Sequence, residues 1–242
     1  MAGGRISGAY ALAAGTEVKA LAPLGGVPII RRVSEVLRDT PGTARLCVVG
    51  PESVGELVAD LAIWEPETDS AYGNFLAGAR RLGISGDDRV LLCGTDVATL
   101  TRGSLEDLLA RSPADADICM PVVHRDVFES RFPGGAWVYV PLADGHFTSG
   151  SQFIVRPQAL EDNAGLIQRL FQRRKSQVGM ASALGFSFLF KLLTRRLRVP
   201  DLELRASTLT GCRCRAVLDC HPELAFDIDH LEEWEYARKL IG

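Results

Sequence analysis

Three short stretches, far apart in the chain, carry the residue types that can do chemistry. The first is Met1-Ala2-Gly3-Gly4-Arg5, whose Gly4 is separated by residues 5–18 from Lys19, which runs on into Leu24-Gly25-Gly26-Val27-Pro28. Paired glycines let backbone N–H groups turn inward and approach a polyphosphate closely. An arginine and a later lysine would then neutralise the phosphate charge. The second stretch is Cys93-Gly94-Thr95-Asp96, with Asp96 just past an apolar run. A carboxylate at the carboxyl end of a strand stands where open α/β sheets bind ligands. It can hold Mg²⁺, which takes one or two protein carboxylates beside substrate phosphates. The third is Phe226-Asp227-Ile228-Asp229-His230. Strand alternation puts both aspartates on one face, so either could supply a second metal ligand. Asp229 also suits the N-cap of the helix that follows.

These groups must be positioned by elements that the pattern suggests. Arg45–Gly50 and Arg89–Gly94 are short apolar runs ending in turn signals, and Asp117–Val123 is similar. Helical spacing covers 28–38, 53–61, 72–82 and 104–110, with Pro28 in a first turn and Ser104 at an N-cap. Buried strands separated by helices predict an α/β fold with a mostly parallel central sheet covered on both faces. In the second half, Ala136–Val140 and Gly150–Val155 read as strands joined by an Ala143-Asp144-Gly145 hairpin turn. A helical region from Gln158 to Leu197, broken near Ser176 and Gly185, comes next. Strand-like pieces at 214–218 and 224–228 precede a closing helix over 230–241. We expect one domain over 1–242, its 1–123 half binding nucleotide and its 124–242 half, a smaller α+β elaboration, binding an acceptor.

Composition narrows the partners. Twenty-seven basic against 30 acidic residues leave a net charge of −3, unlike the strongly basic surface of a nucleic-acid coat. The most apolar run, Leu184–Leu193, falls far short of the ~20 residues needed to span a bilayer. Cys212, Cys214 and Cys220 are close together, but Cys-Arg-Cys lacks the spacer of common zinc sites. His124, His146, His221 and His230 form no metal spacing. A cytoplasmic location is the expectation.

Together the three motifs resemble the nucleotidyltransferases of glycosyltransferase-A-type fold, and more narrowly the group of molybdenum cofactor guanylyltransferase and related cytidylyltransferases. The resemblance spans nearly the whole chain. It implies a three-layer sandwich and Mg²⁺-dependent transfer of a nucleoside monophosphate from an NTP to a small-molecule acceptor, with release of pyrophosphate. It places Ala2, Gly3, Gly4 and Arg5 in the triphosphate loop, with Lys19 stabilising the transferred phosphoryl group. Asp96 matches the metal-binding aspartate, and Asp227 or Asp229 the second carboxylate. Two departures stand out: the long spacer before Lys19, and Val97-Ala98 where the family usually leads to a proline. The first strand should precede the glycine pair, so most of it is expected upstream of Met1.

Secondary candidates complete the reading. Ser70 and Asn74, at a loop-to-helix junction, could read the nucleobase, or Asp69 and Ser70 could simply cap a helix. Gly150 and Gln152 belong to a loop that looks acceptor-facing. Lys175, in Arg173-Arg174-Lys175, could bind an acceptor phosphate, although such runs also form solvated helix faces. Two other readings are a binding module of the same fold without catalysis, and a membrane-peripheral protein using the apolar, basic-ended segment 179–198.

Overall fold

The computed structural model describes residues 1–84, 88–173 and 185–242. A helix α1 (Gly8–Ala14) and a 3-10 turn (Lys19–Leu21) lead into a small hairpin, β1 (Pro23–Leu24) and β2 (Val27–Pro28). Then come α2 (Ile29–Asp39), β3 (Cys47–Gly50), α3 (Glu52–Val58), β4 (Ile63–Pro66) and α4 (Ala71–Leu82). The chain continues through β5 (Val90–Cys93), α5 (Arg102–Arg111), β6 (Ile118–His124) and α6 (Arg125–Arg131). It then forms β7 (Val140–Leu142), β8 (Gly145–Ser149), β9 (Gln152–Val155), α7 (Pro157–Asp162) and α8 (Ala164–Arg173). The last elements are α9 (Phe186–Leu193), α10 (Val199–Thr210), β10 (Cys214–Val217), a 3-10 turn (Pro222–Leu224) and α11 (Leu231–Ile241).

The fold is α/β around a central sheet, in which β9 lies between β5 and β6 and β10 pairs with the other side of β6. Side chains alternate across it as a pleated sheet requires. Cys93, Cys119, Ile154 and Val217 face one core, shared with α2, α5 and α11. Phe153, Val155 and Ile118 face the opposite core, shared with α4, α7 and α8. Helices therefore cover both faces.

The expectation of a mostly parallel sheet is corrected. Among the described residues only β6–β10 and the separate β3–β4 pair run parallel; β5–β9, β6–β9, β6–β8 and β7–β8 are antiparallel. Strand β9 arrives from the β7–β8 hairpin rather than by a helical crossover, so it enters between β5 and β6 in the opposite direction. Residues 1 and 2 lie between β3 and β5: the Ala2 N–H donates to the Val49 carbonyl at 2.7 Å and the Met1 ammonium to the Cys93 carbonyl at 2.8 Å.

Several local expectations also change. Residues 136–139 form no strand, because Trp137 is drawn into an aromatic cluster. Its ring lies 5.4 Å from Phe128 and 5.1 Å from Phe226, and its indole N–H donates to the Phe132 carbonyl. Helix α5 begins earlier than expected, with Thr101 as N-cap and Ser104 completing a reciprocal cap. The segment 224–228 is a 3-10 turn and loop rather than a strand. The described residues of the long helical region form α7, α8 and α9, the break expected near Ser176 lies outside them, and α10 lies beyond the expected end.

Candidate active site

The long spacer before Lys19 folds back on itself. Residues Arg5 and Val18 form an antiparallel bridge, the Ile6 N–H donates to the Glu17 carbonyl at 2.9 Å, and the Lys19 N–H donates to the Gly4 carbonyl at 2.9 Å. The excursion, with α1 inside it, is thus closed at its neck. Lys19 ends beside the glycine pair despite the distance in sequence, and its Cε packs over Gly4.

From there the Lys19 ammonium reaches two of the three candidate carboxylates. Nζ lies 2.9 Å from Asp96 Oδ2 and 2.7 Å from Asp229 Oδ1. Asp96 occupies the loop after β5. Its carbonyl accepts the Ile228 N–H at 2.9 Å, which holds the 227–229 segment alongside. Phe226 and Ile228 are fully buried, so the intervening Asp227 and Asp229 turn toward the site, an alternation kept without a strand. Asp229 does not cap the last helix; Glu233 Oε2 instead accepts from the His230 N–H at 2.8 Å and from the Asp229 N–H.

Ser151 joins the carboxylates from the other side. Its Oγ is 2.9 Å from Asp96 Oδ1 and 3.2 Å from Asp227 Oδ1. The sequence reading missed this residue; the signal was its place beside Gly150 and Gln152, but only the β5–β9 register brings it next to Gly94.

Electrostatics follow from burial and these pairs. Burial works against the Lys19 charge, but Asp96 and Asp229 outweigh it and raise its pKa, so the ammonium stays protonated. Burial would push Asp96 up, yet the Lys19 charge and hydrogen bonds hold it below the ordinary value. Asp227 differs: burial, then the Asp96 and Asp229 charges, raise it to about 7. The Cys93 thiol is pushed up to about 12 by burial, which removes it as a thiolate nucleophile.

At the mouth, the Arg5 guanidinium donates to the Gly3 carbonyl at 2.9 Å and pairs with Glu67, another residue the sequence reading missed. The Glu67 carboxylate lies over Gly3, where a Cβ would meet Oε2 at 2.0 Å. Ser70 Oγ caps α4 by accepting the Gly73 N–H, and Asn74 Oδ1 accepts from the Thr68 N–H and hydroxyl. Both side chains therefore shape the Thr68 loop through internal bonds. Tyr10 on α1 packs its ring 5.7 Å from Trp234, with a buried hydroxyl that has no hydrogen-bond partner.

The acceptor-side expectations fare differently. Gly150 is packed so closely that a Cβ would lie 1.6 Å from the Leu224 carbonyl oxygen, and Gln152 is fully buried. The Gln152 side chain is thus closed off from solvent, while Gly150 has only its backbone to offer. Lys175 lies outside the described residues. So do residues 179–184 of the apolar segment, while α9 exposes Phe190 and Leu193. No helix among the described residues is long and apolar enough to cross a membrane. All six cysteines are free thiols.

Residues 2–196 match the model of the MobA-like NTP transferase domain. The chain belongs to that family. It is therefore a nucleotidyltransferase by family and fold. A hypothetical transferase from Thermus thermophilus is 28% identical, with a TM-score of 0.84 over 97% of this chain and 96% of that one. A nucleotidyl transferase from Methanothermobacter thermautotroptrophicus shares the fold at 19% identity and TM-score 0.57, covering 99% and 94%. So does CMP:2-keto-3-deoxy-manno-octonic acid synthetase complexed with CTP, at 16% identity and TM-score 0.59, covering 93% and 91%. None of the curated protein sequences matches the chain.

Proposed function

We propose that the chain transfers a nucleoside monophosphate from a Mg²⁺-bound NTP to a phosphorylated or hydroxyl small-molecule acceptor, releasing pyrophosphate, on a glycosyltransferase-A-type scaffold. The observation that carries this reading is the convergence of Lys19 with Asp96 and Asp229 beside Gly3 and Gly4.

The residues present fit a magnesium ion. Among the described residues no three His, Cys, Asp or Glu side chains are grouped to hold a metal alone. Mg²⁺ needs no such cage, since it takes one or two carboxylates and completes its shell with phosphate and water oxygens. Asp96, with Asp227 or Asp229, would hold it. When bound, it supplies Lewis-acid neutralisation of the phosphate oxygens.

The chain's own groups supply the rest. Gly3 and Gly4 leave backbone N–H groups open to a triphosphate once Glu67 yields its place over Gly3, and Arg5, released from Glu67, pairs with phosphate oxygens. Lys19 keeps its charge throughout and sets an ammonium against the α-phosphoryl oxygens as charge builds there. An acceptor oxygen attacks the α-phosphorus, the bond to the bridging β-phosphate oxygen breaks with pyrophosphate leaving, and the proton of a hydroxyl acceptor passes to water. Such a transfer needs positioning and charge neutralisation more than covalent help. Residues 124–242 would supply the acceptor side.

The test is pyrophosphate release from an NTP panel with candidate acceptors, wild type against Asp96→Asn. Loss of a metal carboxylate should lower the rate by roughly a thousandfold, about 4 kcal/mol of transition-state stabilisation. Unchanged turnover in that variant refutes the metal role. Mg·NTP binding without any product across the panel would identify a binding module instead.

A further inference from the structure

We infer that Ser151 is a positioning residue for the metal-binding carboxylates, a role that rests on the site reading above. The corner between β8 and β9 touches both carboxylate-bearing segments. On one side the Gly94 N–H donates to the Ser151 carbonyl at 3.1 Å. On the other, Gly150 backs onto the Leu224 carbonyl, three residues before Asp227. From this corner a single hydroxyl reaches one oxygen of Asp96 and one of Asp227.

The surrounding residues are fitted to that bridge. A Cβ at Gly94 would lie 2.3 Å from Ser151 Oγ and 2.4 Å from Asp96 Oδ1, so any larger residue there would push the two apart. A Cβ at Gly150 would collide with backbone, which fixes the corner at this depth. Asp96 is consequently pinned through both oxygens, Oδ1 by Ser151 and Oδ2 by Lys19. Asp227 is held near it although the two carboxyl groups repel each other when ionised. Without the hydroxyl, the bridge between Asp96 Oδ1 and Asp227 Oδ1 is lost, and the carboxylates would have to be gathered at the moment the cation arrives. Outer hydrogen-bond partners of metal ligands typically account for 10–100-fold in metal affinity.

The same corner was assigned to acceptor contacts on sequence grounds. The structure turns its hydroxyl to the carboxylates instead, and the β8–β9 corner is thereby tied directly to the residues that would hold the metal.

Titration of the full chain with Mn²⁺, following the free-ion EPR signal, tests the assignment. Ser151→Ala should weaken Mn²⁺ binding by about tenfold, and Ser151→Thr, which keeps the hydroxyl, should stay within about twofold of wild type. Thermal midpoints measured in EDTA should agree between the two variants within a few degrees. Should Ser151→Ala fold poorly, Ser151→Thr against Ser151→Val compares nearly equal shapes that differ in the hydroxyl, and the tenfold gap should appear there. Wild-type affinity in Ser151→Ala, or equal affinities in the Thr and Val variants, overturns the role of Ser151 while leaving the metal site in place. A wild-type chain that takes up no Mn²⁺ overturns the metal assignment itself, and this inference with it.

Discussion

Two ion pairs flank the Gly3-Gly4 segment at different depths. At the mouth, Arg5 and Glu67 pair with side chains 50% and 28% exposed. On the floor, Lys19 and Asp96 are 14% and 18% exposed, and Asp229 joins them from the solvent side. Water screens the first pair, so it contributes between nothing and about 1 kcal/mol and can open at little cost. The second is shielded, so each charge there depends on its partner and losing one leaves the other uncompensated. The exposed pair is suited to exchange partners. The floor is suited to fix charges before any ligand arrives.

This contrast can be broken or sharpened by substitution. The largest effect is expected on the floor: Lys19→Met should lower kcat by a hundredfold to a thousandfold, roughly 3–4 kcal/mol, while KM for NTP moves much less. Steady-state kinetics with the best NTP of the panel would show it, and a fall confined to KM would move Lys19 from the reacting phosphate to ground-state binding.

Next comes Asp227. Its folded value of about 7 lies above the ordinary 3.8. Between about pH 4 and 7 the folded chain therefore holds a proton that the unfolded chain has released, and stability falls as pH rises through that window. Asp227→Asn removes this dependence. In EDTA the variant should match wild type near pH 4 and gain on it up to pH 7–8, with a ceiling of about 4 kcal/mol. Denaturant melts at several pH values would measure the divergence; parallel curves would mean that Asp227 carries its charge without penalty.

The smallest effect belongs to the mouth. Glu67→Gln should shift the thermal midpoint by no more than a degree or two, since the lost pair is screened. NTP binding by calorimetry should tighten a few-fold, because Arg5 no longer has to leave a carboxylate. Weaker binding would give Glu67 a direct part in holding nucleotide.

Much of the site was legible in the residues themselves. Gly3, Gly4, Lys19, Asp96, Asp227 and Asp229 stand out by type and by their places at strand ends and turns, and the structure gathers them. Ser151 and Glu67 did not stand out, because a lone serine or glutamate has no spacing signature and gains meaning only from what it faces. Gly150 and Gln152 were conspicuous for their loop, and close packing buries Gln152 and seats Gly150 against the Leu224 carbonyl. The strand expected over 136–140 begins only at Val140 for a related reason: alternation of apolar side chains does not reveal that Trp137 fills an aromatic cluster.

The sequence by itself determined where apolar runs would become buried strands and helices, and which rare polar groups had to sit at their ends, because burial periodicity and turn chemistry are local properties. Tertiary structure alone decided strand direction, the closure of residues 5–18 that returns Lys19 to Gly4, and the meeting of Ser151 with two aspartates. Each of these depends on backbone hydrogen bonds between segments distant in the chain, and pairing partners over such distances are selected by the packing of the whole sheet rather than by any neighbouring residue.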